Sequence, residues 1–317
     1  MLSIKDILRA AHRVHDGVSD ATDAHLLFQT GTAMGGARPK ATVQLDDGRL
    51  ALAKLPFQDD RWNVELWEEI TLQLARRAGI TVPASRLYPI SPDQSILVTE
   101  RFDRTKEGRR TGYLSMDSFL EIGADEEITY EDVAQELLAS SPVVGDGEEL
   151  FRRVVFTVLV NNIDDHMRNH GVLRSGSGWK LAPAFDMNPH ALGALPATPV
   201  SRRGSAIDRD VRVLMESADT YGMTDDRAKV IAREVEAATA AWREVAHGYG
   251  QDDDDIAFME RAFDGPNRER ARALQAVGRS IPVRSAPQDP SAVWVASHVR
   301  GGKSVQGHYR ARRAGRG

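Results

Sequence analysis

Apolar residues recur at helical spacing near the start of the chain, at Ile4, Ile7, Leu8 and Ala11, which predicts one or two helices within residues 1–28. The period then shortens. LLFQTGTAMGGARPKATVQLDDGRLALAKLP, at 26–56, alternates short apolar runs with glycine, and DDG at 46–48 reads as the turn of a hairpin between ATVQL and RLALAKL. Helical spacing returns in VELWEEITLQLARRAGITVP, at 64–83, where Leu66, Ile70 and Leu74 share a face and Gly79 followed by Pro83 marks the end. Residues 86–104 predict two more strands, and from about 113 to Pro282 the pattern is mainly helical. Phe151, Val154, Val155, Val158, Leu159 and Asn162 fall on one helical face, so a buried helix delivers the chain into the polar run NNIDDHMRNH. Beyond it, GVLR and WKLA are short strands joined by SGSG, and the second leads toward Asp186. No segment repeats.

Composition narrows the class. A chain of 317 residues with 41% hydrophobic content can bury a full core in one large or two moderate domains. The last 35 residues carry seven Lys or Arg against one Asp, so the net charge of −5 leaves −11 on residues 1–282, a poor surface for nucleic acid. The absence of cysteine excludes disulfides and thiolate metal sites. Charges interrupt the N-terminal stretch where a signal peptide needs an apolar run, and no run approaches the length of a membrane span. These features predict a soluble, cytoplasmic protein, with 283–317 as a flexible basic tail.

The order helix, polar loop, hairpin, aspartate is the arrangement that phosphoryl transfer needs. A carboxylate must orient or deprotonate the acceptor hydroxyl, and oxygen ligands must hold Mg²⁺ against the ATP phosphates. Asp164 suits the first role, and Asn169 with Asp186 suits the second; His166 and Asp165 are placed to position the loop or touch phosphate. The N-terminal half supplies complementary parts. GTAMGGARPK, with Gly35, Gly36, Ala37 and Arg38, offers backbone amides that can approach phosphate closely. Lys54 near a strand end can reach the phosphates, and Glu68, chosen over Glu65 and Glu69, can hold that lysine from the next helix.

At these residues the chain resembles the HipA-like serine/threonine kinases, toxins of bacterial type II toxin-antitoxin systems. The resemblance rests on GTAMGGARPKA, LAKLP, WEEITLQLARRAGITVP, VTERFDR, NNIDDHMRNHGVL and WKLAPAFDMNP in that order, over roughly residues 26–265. It implies an α+β, two-lobed protein-kinase-like fold related to phosphatidylinositol 3-kinases, with a small mixed N-lobe at 1–112 and a mainly helical C-lobe at 113–282. It further implies ATP and Mg²⁺ as cofactors, Lys54 on the ATP phosphates, the backbone of Glu100 and Phe102 against adenine, Asp164 as catalytic base, and Asn169 with Asp186 on Mg²⁺. The implied partners are a protein substrate such as an aminoacyl-tRNA synthetase and a helix-turn-helix antitoxin, with DNA reached through the antitoxin and no membrane. Two departures stand out. Ala33 occupies the position where the family commonly carries an autophosphorylated serine, with Thr30 and Thr32 as the nearest hydroxyls. Only about 30 residues precede the glycine-rich loop, so the resemblance is to a short form in which a separate small protein supplies the missing N-terminal subdomain.

Other readings stay open. Glycine-rich loops are commonly plain turns, and a single strand lysine is commonly solvated. His166, His170 and Asp164 are conceivable ligands of a hydrolase metal site. RFDR reads alone as a salt-bridged surface strand, QDDDDI at 251–256 as a solvated helix start, and Trp242 and Trp294 as packing residues. Beside the kinase toxin, a docking protein that only holds an antitoxin and a small-molecule kinase remain as alternatives.

Overall fold

Ser3 opens the first helix: its hydroxyl accepts from the Asp6 N–H at 3.2 Å and starts α1 (Ile4–His15), which buries Ile4, Ile7 and Ala10. The computed structural model describes residues 2–23, 26, 38–57, 60–123, 127–192, 197–203 and 209–274, and the backbone of four strands between 292 and 311. Strands β1 (Leu2–Ser3), β2 (Lys40–Gln44), β3 (Leu50–Lys54), β4 (Ser85–Ser91) and β5 (Gln94–Glu100) form one sheet in the order β1-β2-β3-β5-β4. The DDG turn joins β2 to β3, with Gly48 at φ 83°, a conformation that glycine adopts without penalty.

Strand parity divides this sheet into two faces. Ala51, Ala53 and Leu55 pack with Ala41, Val43, Ile96 and Val98 beneath α1. Alternation therefore turns Leu52 and Lys54 to the opposite face, opposite Thr99 and Leu97 of β5. That face receives α2 (Val64–Arg77), capped by Asn63, whose Oδ1 accepts from the Leu66 N–H at 3.2 Å, and ended by Gly79 at φ 77°. Helix α2 is buried on nearly every side, because its far face meets the helical lobe through Trp67 against Trp242 and Phe263.

The C-terminal lobe contains a second sheet, β6 (Tyr113–Ser115), β7 (Gly171–Ser175) and β8 (Gly178–Leu181), in that order and antiparallel. Its helices are α3 (Met116–Phe119), α4 (Tyr130–Ser140), α5 (Asp146–Leu159), α6 (Val211–Met215), α7 (Asp225–Ala240), α8 (Trp242–Gly248), α9 (Asp253–Phe263) and α10 (Pro266–Ala273). Helix α5 carries the predicted buried face: Phe151, Val154, Val155, Val158 and Leu159 all lie in the core. Each such side chain contributes about 1.5–3 kcal/mol relative to exposure, so the end of α5 is a firm base for the loop that follows. Trp242 is fully buried, and QDDDDI opens α9, with Asp252 as its cap.

Within 283–317, β9 (Ala292–Val295) pairs with β12 (His308–Ala311), and β10 (His298–Arg300) with β11 (Lys303–Val305). The side chain of Trp294 lies outside the described residues.

Candidate active site

Lys54 is the junction of the two lobes. Its Nζ lies 2.7 and 2.6 Å from the two carboxylate oxygens of Glu68 on α2, and 2.5 Å from Asp186 Oδ1 beyond β8. The neighbouring acids on α2 are committed elsewhere. Glu65 accepts from Arg38 at 2.7 Å, and Glu69 accepts from Gln73, Ser85 and Tyr249. Burial opposes the charge on Lys54, but Asp186 and Glu68 outweigh it and hold its pKa well above the ordinary lysine value. Burial pushes Glu68 up to about 7, against the pull of Lys54. For Asp186 burial also acts upward, but Lys54, assisted by Lys40, carries it down to about 2. Lys54 thus pairs with both Glu68 and Asp186, and the Lys40 charge also acts on Asp186.

Asp186 itself has φ 58°, a left-handed conformation uncommon outside glycine. Two donors converge on its Oδ1: Lys54 Nζ at 2.5 Å and Asn188 Nδ2 at 3.2 Å. The strand leading to it is tied to the other lobe by the Ala184 N–H, which donates to the Thr81 carbonyl at 2.8 Å.

The loop after α5 separates the paired aspartates. The Asp164 side chain is 73% exposed, with His166 Nε2 at 3.6 Å, beyond hydrogen-bond range. Asp165 is buried, and its carboxylate meets the Tyr130 hydroxyl at 2.7 Å, His170 Nε2 at 2.8 Å and Arg209 at 2.6 Å. Asp165 is therefore spent on holding the loop, while Asp164 is free to meet a ligand. Asn169, in a short 3₁₀ turn (Met167–Asn169), donates from Nδ2 to the Asp164 carbonyl at 3.0 Å, which fixes the amide and leaves its Oδ1 for another partner. His170 is turned toward Asp165 and Tyr130, and no group of three His, Asp or Glu side chains converges as a metal site among the described residues. The hydrolase arrangement of Asp164, His166 and His170 thus finds no geometric support.

At the hinge, Glu100 points its side chain to Arg49, and its N–H donates to the Ala84 carbonyl at 2.8 Å. The Phe102 N–H has no partner among the described residues, and the Phe102 ring packs with Tyr113 and Phe185 at 5.8 and 5.7 Å. This arrangement leaves a backbone donor beside an aromatic floor. RFDR forms an ion cluster in which Asp103 pairs with Arg101 at 2.7 Å and also with Arg104. Arg38 is gripped by Asp60 through two contacts of 2.6 Å and by Glu65, a pairing with which a phosphate would compete. Gly35, Gly36 and Ala37, with Thr30, Thr32 and Ala33, lie outside the described residues.

Three residues were missed by sequence reasoning. Lys40 stands directly across from Lys54 in the β2–β3 register and so shares its face; counting outward from the DDG turn would have found it. Asn188 holds Asp186 and keeps a buried Oδ1 without a partner among the described residues. Arg209 reaches the loop from 44 positions away, with no local signal.

This constellation and fold define a class. The fold matches a chain of the Shewanella oneidensis MR-1 toxin-antitoxin complex of HipA, HipB and operator DNA, with TM-score 0.58 and 17% identity over 78% of this chain and 68% of that one. It also matches the Helicobacter pylori proinflammatory kinase CtkA, with TM-score 0.55 and 15% identity over 76% of this chain and 94% of that one. The fold is thus kinase-like, two-lobed and α+β. The family model of the HipA-like C-terminal domain matches residues 32–242, and the chain belongs to that family. A Haemophilus influenzae protein bearing the provisional name of a kinase is 29% identical over 134 residues, which span 38% of this chain and 39% of that protein. The match spans about two fifths of that protein's length. The residues present are of the kinds that hold a nucleotide and a divalent metal: an exposed carboxylate, a buried lysine, and the oxygens of Asn169, Asp186 and Asn188. No helix among the described residues is long and apolar enough to cross a membrane.

Proposed function

We propose that this chain is an ATP- and Mg²⁺-dependent protein serine/threonine kinase, the toxin of a type II toxin-antitoxin system. The observation that carries the reading is Lys54 held between Glu68 and Asp186, with Asp164 and Asn169 together on the loop. In this reading Lys54 binds the nucleotide phosphates, and the Glu100 carbonyl and Phe102 N–H meet adenine. Asp164 accepts a hydrogen bond from the acceptor hydroxyl and takes its proton as the phosphoryl group moves, with His166 beside it. Asn169 and Asp186 would hold Mg²⁺, which neutralises charge on the phosphates. An exposed Asp164 suits an acceptor carried on another macromolecule.

The acceptor is a cytoplasmic protein such as an aminoacyl-tRNA synthetase, so that transfer inhibits translation. The Shewanella complex of HipA with HipB and operator DNA supports an antitoxin as partner; in this reading that antitoxin is a helix-turn-helix protein through which DNA is reached. The test is transfer from γ-labelled ATP into a host lysate, with and without Mg²⁺, beside Asp164→Ala. A protein band labelled by the parent alone and lost with EDTA supports the proposal. Label in a small molecule, or in no acceptor despite Mg²⁺-ATP binding, overturns it.

A further inference from the structure

Arg209 spans the segment that carries Asp164. One guanidinium nitrogen donates to the Asn162 carbonyl at 2.8 Å and the other to Asp165 Oδ2 at 2.6 Å, so a single side chain grips the backbone before Asp164 and the carboxylate after it. The side chain is only 9% exposed, and Asp165 is 1% exposed. Both partners are themselves fixed. The Asp165 carbonyl accepts from the Thr198 hydroxyl at 2.6 Å and its N–H at 3.1 Å, and the Asp165 carboxylate meets Tyr130 of α4 and His170. The Arg209 carbonyl accepts from Asn267 Nδ2 of α10 at 2.6 Å, while Asn267 Oδ1 accepts from the Val211 N–H at the start of α6 at 3.1 Å. A path of direct contacts thus runs from α10 through Arg209 to the two residues flanking Ile163 and Asp164.

We infer that Arg209 is a positioning residue for the catalytic loop: its fork fixes the arc 162–165 and so sets where the Asp164 carboxylate stands, without touching substrate. This rests on the proposed phosphotransfer at Asp164. The planar fork matters as much as the charge. Arginine presents donors in fixed divergent directions, whereas lysine offers a point charge on a flexible stem and cannot reproduce both bonds in the same geometry. A role limited to neutralising Asp165 makes a different prediction, because lysine, or removal of both charges, would then suffice. Replacing a buried ion pair by apolar or neutral groups is often neutral for stability, so the double change is a fair control for folding.

The experiment compares the parent with Arg209→Lys, Asp165→Asn and the double variant Arg209→Met/Asp165→Asn. It reads kcat and the KM for ATP in transfer, the unfolding midpoint, and amide hydrogen exchange across 160–170. Misplacing a reacting group by an ångström costs on the order of 100-fold. Arg209→Lys is therefore expected to lower kcat by about that factor while the KM for ATP holds and exchange at 162–166 quickens. The double variant should regain the midpoint without regaining kcat. Parental kcat and loop protection in Arg209→Lys or in the double variant would overturn the inference, as would an ATP affinity that falls in step with kcat. If the parent itself transfers no phosphate, the proposed function fails. The exchange measurement then still decides the strap: faster exchange confined to the loop supports it, and unchanged protection removes it.

Discussion

Changing Asp164 and Asp165 one at a time to alanine should produce opposite signatures from adjacent positions. Asp164 has no hydrogen-bonded partner on its carboxylate among the described residues and is mostly exposed, so its loss leaves the fold untouched and the unfolding midpoint where it was. A general base contributes typically 10²–10⁴-fold, and transfer should fall within about that range. Asp165→Ala removes the acceptor shared by Tyr130, His170 and Arg209 and leaves a buried guanidinium facing no carboxylate. Breaking a buried pair in this way costs about 3–5 kcal/mol. At roughly 2–4 °C per kcal/mol, the midpoint should drop by about 10 °C. Circular dichroism melts and γ-labelled transfer on the same preparations separate the two effects. Should Asp164→Ala lose stability to the same extent, or Asp165→Ala melt with the parent, the division between a free base and a buried loop anchor is wrong.

Lys54→Met strips the cation from between two carboxylates, and should cost about 3–5 kcal/mol and abolish measurable transfer; Mg²⁺ should recover more of its melting midpoint than of the parent's, and equal recovery would count against a metal at Asp186. Glu68 links stability to pH with a definite sign. Its folded pKa of about 7 lies above the ordinary 4.5, so between those values the folded protein binds the extra proton and this contribution to stability falls as pH rises. Glu68→Gln should flatten that part of the stability curve, measured by urea unfolding at a series of pH values, and an unchanged slope would assign the proton elsewhere.

Several parts of this site are written in the chain. The DDG turn, the period-2 pattern and the helix that ends at Gly79 place Lys54 and Glu68 on facing elements, and the structure brings those two together. The buried face of α5 and the short hairpin after the loop likewise bring Asn169 and Asp186 to line one small pocket. The hairpin register even encoded Lys40 beside Lys54. The paired strands near the C-terminus were less legible, because a basic, glycine-containing composition outweighed the alternating pattern.

Local pattern by itself determined the elements, their faces and the set of chemical groups, because strand and helix periods repeat over a few residues and require no distant partner. The division of labour inside DD, the engagement of Arg38 by Asp60 and Glu65, and the grip of Arg209 on the loop were decided only by tertiary packing. Two adjacent aspartates are alike in sequence. One becomes a loop anchor because Tyr130, His170, Thr198 and Arg209 converge on it from separate elements, and the other is left to solvent. Burial and long-range pairing set their chemistry, and neither has a short-range signature.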